Sequence, residues 1–280
     1  MALSFSKLWK CLIVKGEYRK ALLALGFWGV LSGWGVGLLA RPAVAELPEV
    51  IEKIRPGIVA IGTIQQTRRP PAQFRATGFA VADGQYVITN AHVLPDTLNT
   101  EQKEYLAVFS GKGQRFESRL ATTVALDREH DLVLLKIEGS PLPALTLGGA
   151  KSVREGQRIA FTGFPIGIVL GLYPVTHSGI ISAISPIAIP VPSSRQLNEE
   201  VIKRLKKPFE VLQLDATAYP GNSGSPLYDP QTGQVLGVVN SVFVKESKET
   251  ILQQPSGITY AIPVSYVQAL LKQAGLPAVR

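Results

Sequence analysis

Short apolar segments separated by glycine and proline turns follow position 45, and this spacing restricts the fold more than any other feature. Examples are residues 58–64, 77–82, 86–89, 132–137 and 158–163, each too short for a typical helix. The 280 residues include 26 glycines and 20 prolines, many of them between such segments. We therefore predict an all-β fold.

The segments fall into two groups, which predicts two β-units. The first unit is expected over 46–145 and the second over 146–280, separated by a loop rich in proline, glycine and serine. A helix over 47–54 should lead the first unit, and a helix over 263–273 should close the second. Residues 193–208 have the pattern of a solvated amphipathic helix inserted between strands.

The first 45 residues have the pattern of an export signal. A basic stretch precedes the uncharged residues 21–40, and Ala43-Val44-Ala45 forms a cleavage pattern before Glu46. We expect a signal peptide or, because twenty uncharged residues approach the length that spans a bilayer, an N-terminal membrane anchor. Either outcome predicts a periplasmic or extracellular protein. Cys11 is the single cysteine, so a cleaved chain would contain no disulfide.

The distribution of charge and of ligand residues restricts the partners. The chain carries +8, but residues 1–45 alone contribute +5, so the rest is only weakly basic. This argues against a nucleic-acid partner. Three dispersed histidines give no metal-ligand spacing, and we expect no metal and no other cofactor.

Ser223 lies in YPGNSGSP (219–226), a glycine-flanked loop between two apolar strands. A nucleophilic serine needs a rigid turn of this kind, with backbone N–H groups directed at the charge that develops on a substrate carbonyl oxygen. The N–H groups of Gly221 and Ser223 are the candidates for this oxyanion hole. An ordinary glycine-serine turn is the alternative.

His92 and Asp131 are the candidate partners of this serine. His92 follows an apolar strand in VITNAHVL, and histidine is the natural base because its pKa lies near neutrality. Asp131 directly precedes the most apolar strand, where its carboxylate needs a partner such as an imidazole N–H. Asp127 is a rival acid. The other histidines, His130 and His177, have less convincing surroundings as a base; a structural role is expected for His177, with a place in the cleft wall as the alternative.

The order His, Asp, Ser is that of chymotrypsin-type enzymes and differs from the orders of subtilisins and α/β-hydrolases. The segments TNAHV, HDLVLLKI and GNSGSP resemble the three signature segments of trypsin-like serine peptidases, and the chain is most similar to their bacterial HtrA-type branch. Further segments match in order: GFPIG (163–167), SGIISAI (178–184), LGVVNS (236–241) and ITYAIP (258–263).

This resemblance implies two orthogonal six-stranded β-barrels of the chymotrypsin type with a C-terminal helix. His92 and Asp131 would come from the first barrel and Ser223 from the second, in the cleft between them. The implied function is that of an exported serine endopeptidase that hydrolyses polypeptides through an acyl-enzyme at Ser223. HtrA-type proteins usually carry a PDZ domain after the peptidase domain, and we expect none here because the chain stops at Arg280.

The resemblance also places the pocket for the substrate residue before the cleaved bond. Thr217, Tyr219, Val239 and Ser241 would form it, and the absence of an acid among them predicts a small or medium apolar preference. Two other functions stay open: a catalytically silent peptide-binding homologue and an esterase with the same triad. The oligomeric state is not predicted.

Overall fold

The computed structural model describes residues 46–149, 153–165, 171–186, 209–240 and 258–277. The predicted export signal, the predicted helix at 193–208 and Ser241 lie outside these ranges. Within the described residues, no helix has the length and apolar character needed to cross a membrane.

The first six strands form a closed antiparallel barrel. They pair in the order β1-β2-β3-β6-β5-β4, and β4 returns to β1. The strands are β1 (Ile58–Gln65), β2 (Ala72–Val81), β3 (Tyr86–Asn90), β4 (Glu104–Lys112), β5 (Arg115–Asp127) and β6 (Leu132–Ile137). Alternate residues of β3 and β6 lie in the first barrel's own cluster and in the cluster shared with the second barrel, so both strands are buried along most of their length.

The next six strands repeat this topology in a second closed barrel. Their order is β7-β8-β9-β12-β11-β10, and β10 returns to β7. The strands are β7 (Arg158–Gly163), β8 (Val175–Pro186), β9 (Glu210–Asp215), β10 (Pro226–Tyr228), β11 (Val235–Asn240) and β12 (Ile258–Pro263). The all-β prediction with two six-stranded barrels is confirmed.

Two helices in the described part of the chain pack against both barrels, and both lie where the sequence predicted helices. Helix α1 (Leu47–Ile54) precedes the first barrel, and its Val50 and Ile54 lie so close to Gly233, in the turn between β10 and β11, that a Cβ there would be 3.2 Å from each. Helix α2 (Val264–Gln273) follows the second barrel and contacts β5 and β6 of the first. One buried cluster contains side chains from both barrels and both helices, so the junction of the barrels is itself a hydrophobic core.

Strand β2 begins five residues earlier than the apolar pattern indicated, at Ala72 instead of Thr77. Its first four residues alternate between half-buried and exposed, so they lack the continuous apolar character of the buried part. Phe74 fixes this end of the strand because its ring packs edge-on against Phe109 and Phe116, with centroids 4.9 Å and 5.4 Å away.

The shared core between the barrels can be tested with two leucines of the first barrel. Leu134 is fully buried and Leu120 is 37% exposed. We expect Leu134→Ala to lower the free energy of unfolding by about 2–5 kcal/mol, because it leaves a cavity in the core. The matched change Leu120→Ala should cost less than about 1 kcal/mol. Urea unfolding followed by far-UV circular dichroism measures both, and equal losses would contradict the burial of Leu134 in this shared core.

Candidate active site

His92 and Asp131 meet because the strands that carry them are paired. His92 lies in a 3₁₀ turn directly after β3, Asp131 lies directly before β6, and Asn90 of β3 is opposite Leu132 of β6. The Asp131 Oδ1 accepts a hydrogen bond from the backbone N–H of His92 at 2.8 Å, and Oδ2 lies 2.6 Å from its Nδ1. Asp131 thus fixes both the backbone and the ring of the histidine.

The geometry of this pair assigns the proton on a neutral His92 ring. A carboxylate only accepts hydrogen bonds, so Nδ1 carries the proton and Nε2 keeps a free lone pair. The two side chains are 27% and 20% exposed, which shields their interaction in part from water. His92 therefore has the tautomer of a general base that acts through Nε2.

Asp131 holds its position through a strained backbone with several hydrogen bonds. Its φ of +54° is left-handed, a region that Asp tolerates better than most residues. Its carbonyl oxygen accepts bonds from the Asn90 side chain at 3.0 Å and from the Ala91 N–H at 3.1 Å. These contacts prevent the turn from relaxing and direct the carboxylate at His92.

Asn240 is a site residue that the sequence analysis missed. It ends β11 of the second barrel, is almost fully buried, and donates its side-chain N–H to Asp131 Oδ2 at 2.6 Å. A polar residue after the apolar run LGVV was the available signal, since a buried amide requires partners. The partner lies 109 positions away, so spacing alone could not identify it.

The Ser223 loop is a tight turn that depends on glycine. Gly221 and Gly224 have φ of +100° and +84°, which side-chain-bearing residues rarely adopt. Inside the loop, the Asn222 N–H donates to the Tyr219 carbonyl at 2.9 Å and the Ser225 N–H to the Asn222 carbonyl at 3.0 Å. Ser223 is only 5% exposed. The loop has the rigidity that a nucleophile requires.

Thr77 attaches this loop to the barrel that carries His92. Its N–H donates to the Ser223 carbonyl at 2.9 Å, and its hydroxyl donates to the Gly221 carbonyl at 2.7 Å. The Thr77 carbonyl in turn accepts the Thr89 hydroxyl at 2.7 Å, three residues before His92. The sequence analysis missed Thr77, which joins the serine loop to the histidine strand.

Asn222 and Ser225 form a buried polar layer under the loop. Both are fully buried, and within the described residues neither the Asn222 amide atoms nor the Ser225 hydroxyl has a side-chain hydrogen bond. The space for Ser225 comes from Gly163, because a Cβ there would lie 2.1 Å from the Ser225 hydroxyl. The serine in GNSGS is thus accommodated by a neighbouring glycine.

The predicted pocket residues take different places. Thr217 and Tyr219 are partly exposed, whereas the Val239 side chain is fully buried in the second-barrel core and its backbone bonds to Gly224 and Ser225. Thr259, which the sequence analysis missed, holds the 216–218 segment by donating to the Ala216 carbonyl and accepting the Ala218 N–H.

His177 lies beside this segment. Its ring stacks on Phe161 at 4.9 Å and tilts against Tyr219 at 5.8 Å. Burial lowers the pKa of His177, because the charged ring loses hydration. The uncharged ring is thereby favoured, and it packs as an aromatic side chain between Phe161 and Tyr219.

The rival acid Asp127 binds a different histidine. Its Oδ2 lies 2.7 Å from His130 Nδ1, so it is occupied away from His92.

A cavity of about 360 Å³ flanks the His92–Asp131 pair and is lined by Ala91, His92, Leu94, Pro95, Asp96, Arg128 and Asp131. In the described part of the chain, no cluster of His, Cys, Asp or Glu side chains has a metal-binding arrangement.

The structure contains two six-stranded barrels. One carries a His–Asp pair and the other a glycine-flanked serine loop, and this combination defines a two-barrel protein of the chymotrypsin type. A model of the trypsin-like peptidase domain matches residues 76–238, more than half of the chain. The chain belongs to the trypsin-like peptidase family.

Curated relatives are similar over most of this chain. A protein of Halomonas elongata named "Probable periplasmic serine endoprotease DegP-like" is 30% identical over 70% of it, and one of the same name from Chlamydia pneumoniae is 31% identical over 76%. This chain spans only 34% and 37% of their lengths.

A solved structure titled "HtrA-type protease AlgW with tripeptide" superimposes with a TM-score of 0.58 at 25% identity, over 82% of this chain and 63% of that one. The resemblance to the HtrA-type branch is confirmed.

The glycine requirement of the serine loop can be tested with a matched pair. Gly224 and Gly139 have nearly equal φ values of +84° and +86°, but a Cβ at Gly224 would lie 2.0 Å from the Thr77 carbonyl oxygen, whereas Gly139 has open space. Alanine at Gly139 should cost about 1–2 kcal/mol of stability from strain alone. Gly224→Ala should cost about 1–3 kcal/mol more because of the clash. Equal values in urea unfolding would contradict this packing.

Proposed function

We propose that the protein is an exported serine endopeptidase with Ser223 as nucleophile, His92 as general base and Asp131 as the acid that orients the histidine. The observation that carries the proposal is that the Asp131 carboxylate hydrogen-bonds both the backbone N–H and the ring Nδ1 of His92. The anchoring of the Ser223 loop to the same barrel by Thr77 supports it further.

The proposed reaction begins when His92 Nε2 takes the proton of the Ser223 hydroxyl as Oγ attacks the carbonyl carbon of a peptide bond. Asp131 stabilises the imidazolium that forms. The N–H groups of Gly221 and Ser223 stabilise the oxyanion, and the imidazolium protonates the leaving amine. Water, deprotonated by His92, then hydrolyses the acyl-enzyme and regenerates the Ser223 hydroxyl.

A polypeptide substrate is the proposal that the comparisons favour. The matching relatives have names that describe endoproteases, and the similar solved structure is titled with a tripeptide. Thr217 and Tyr219 beside the serine loop, with no acid among the predicted pocket residues, support an apolar preference for the residue before the cleaved bond.

Export is the second part of this proposal. The basic stretch, the uncharged residues 21–40 and the cleavage pattern before Glu46 support it. The names of the Halomonas elongata and Chlamydia pneumoniae relatives describe periplasmic proteins. We propose a periplasmic or extracellular location, either free after cleavage at Ala45 or anchored by 21–40.

A fluorophosphonate label followed by peptide mapping tests the nucleophile. We expect one label, at Ser223, and its loss in Ser223→Ala. Cleavage of casein should fall together with labelling, and His92→Ala should lower kcat/KM by about 10³–10⁶ because the base is removed. The matched control is Ser225→Ala, which should keep the label because the oxyanion donors are backbone groups.

The outcomes separate the proposal from its alternatives. Labelling at Ser223 with hydrolysis of short-chain esters but not of casein or a peptide library would favour an esterase. A folded protein with neither labelling nor cleavage would favour a catalytically silent peptide-binding protein. Labelling at Ser225 or at another serine would contradict the proposed nucleophile.

A further inference from the structure

A second His–Asp pair lies beside the candidate active site, in the turn between β5 and β6. The Asp127 carboxylate accepts the His130 backbone N–H at 3.0 Å through Oδ1 and contacts His130 Nδ1 at 2.7 Å through Oδ2. Both side chains are mostly buried. This pair fixes the His130 ring from inside its own turn.

The other side of the His130 ring contacts the second barrel and the C-terminal helix. The ring stacks on Tyr266 of α2 with centroids 4.0 Å apart and planes 22° from parallel. Phe209, next to the start of β9, packs against the ring edge at 4.9 Å. Phe209 and Tyr266 also contact each other edge-on at 5.8 Å. These residues form an aromatic clamp, by which we mean His130, Phe209 and Tyr266.

The clamp adjoins the residue that orients His92. Asp131 follows His130 directly and has a left-handed φ of +54°, which the surrounding structure must stabilise. On its C-terminal side it is fixed by β6, where Leu132 pairs with Asn90. On its N-terminal side, the clamp packs the turn against the other barrel and helix α2, in addition to the Asn240 hydrogen bond to the Asp131 carboxylate.

We propose that the aromatic clamp positions Asp131, so that the packing of helix α2 controls the alignment of His92. His130 and Tyr266 are then positioning residues that act through Asp131. This inference rests on the proposed function for its kinetic consequence and on the structure alone for its effect on the His92–Asp131 hydrogen bond.

The physical reason is that the hydrogen bond between His92 Nδ1 and Asp131 Oδ2 is sensitive to small displacements of the carboxylate. The hydrogen bonds from Asn90, Ala91 and Asn240 to Asp131 remain when the His130 ring is released. The 127–131 turn then loses its packing against Tyr266 and Phe209, and the carboxylate shifts relative to His92 Nδ1 within those remaining bonds. A displacement of about 1 Å in a catalytic geometry lowers the rate by up to about a hundredfold.

The experiment is ¹⁵N-histidine NMR of the protein in a Ser223→Ala background, where no turnover is needed. The chain contains only three histidines, which simplifies the assignment. The His92 Nδ1–H proton shared with Asp131 should give a downfield signal. We expect Tyr266→Ala to abolish this signal or shift it upfield, Tyr266→Phe to retain it, and the exposed control Tyr105→Ala to leave it unchanged.

A kinetic arm with the catalytic serine present completes the test. Tyr266→Ala should lower kcat about tenfold or more with KM unchanged within about twofold, because substrate contacts remain and alignment is lost. Tyr266→Phe should restore kcat. His130→Ala should reproduce the Tyr266→Ala effects and provides the test if Tyr266→Ala does not fold, with folding checked by far-UV circular dichroism.

Two results would overturn the proposal that the aromatic clamp positions Asp131. In one, Tyr266→Ala and His130→Ala lower the melting temperature but leave the His92 signal and kcat unchanged, which indicates a purely structural contact. In the other, Tyr266→Phe is as impaired as Tyr266→Ala, which assigns the effect to the hydroxyl and not to the stacked ring. If the unmodified protein cleaves no peptide, the proposed function fails, and the NMR comparison still decides the clamp.

Discussion

The structure of the site depends on one partly buried carboxylate, that of Asp131, which must be satisfied by hydrogen bonds. Its two oxygens receive the His92 backbone, the His92 ring and the Asn240 amide. Because Asn240 belongs to the second barrel, the carboxylate is fully satisfied only when the barrels are docked. The chemistry of the site and the association of the barrels are thus coupled at one side chain.

The two barrels are docked by apolar burial between them and by helices α1 and α2. A shared core runs between the barrels, α1 contacts the second barrel, and α2 contacts the first. Thr77 adds direct hydrogen bonds from β2 to the Ser223 loop. The groups on the two barrels are therefore held in register by the shared core, by the two helices and by the Thr77 hydrogen bonds.

Much of this arrangement could be predicted from local sequence. The apolar segments predicted the strands, and the glycine-flanked serine and the strand-end histidine predicted the site residues. Asn240 and Thr77 escaped prediction because their partners belong to the other barrel and come close only when the barrels dock. Thr259 escaped because its partners approach only when β12 pairs with β9. The early start of β2 escaped because one face of that end is exposed. Residues whose role depends on distant contacts require the structure.

The proposed mechanism requires that the N–H groups of Gly221 and Ser223 stabilise an oxyanion and that His92 accepts the proton of the Ser223 hydroxyl. A crystal structure of the protein inactivated with a peptidyl phosphonate tests this directly. The account predicts phosphorus bonded to Ser223 Oγ, a phosphoryl oxygen about 3 Å from the N–H groups of Gly221 and Ser223, and His92 still bonded to Asp131. A phosphoryl oxygen directed away from both N–H groups, or a bond to another residue, would contradict it.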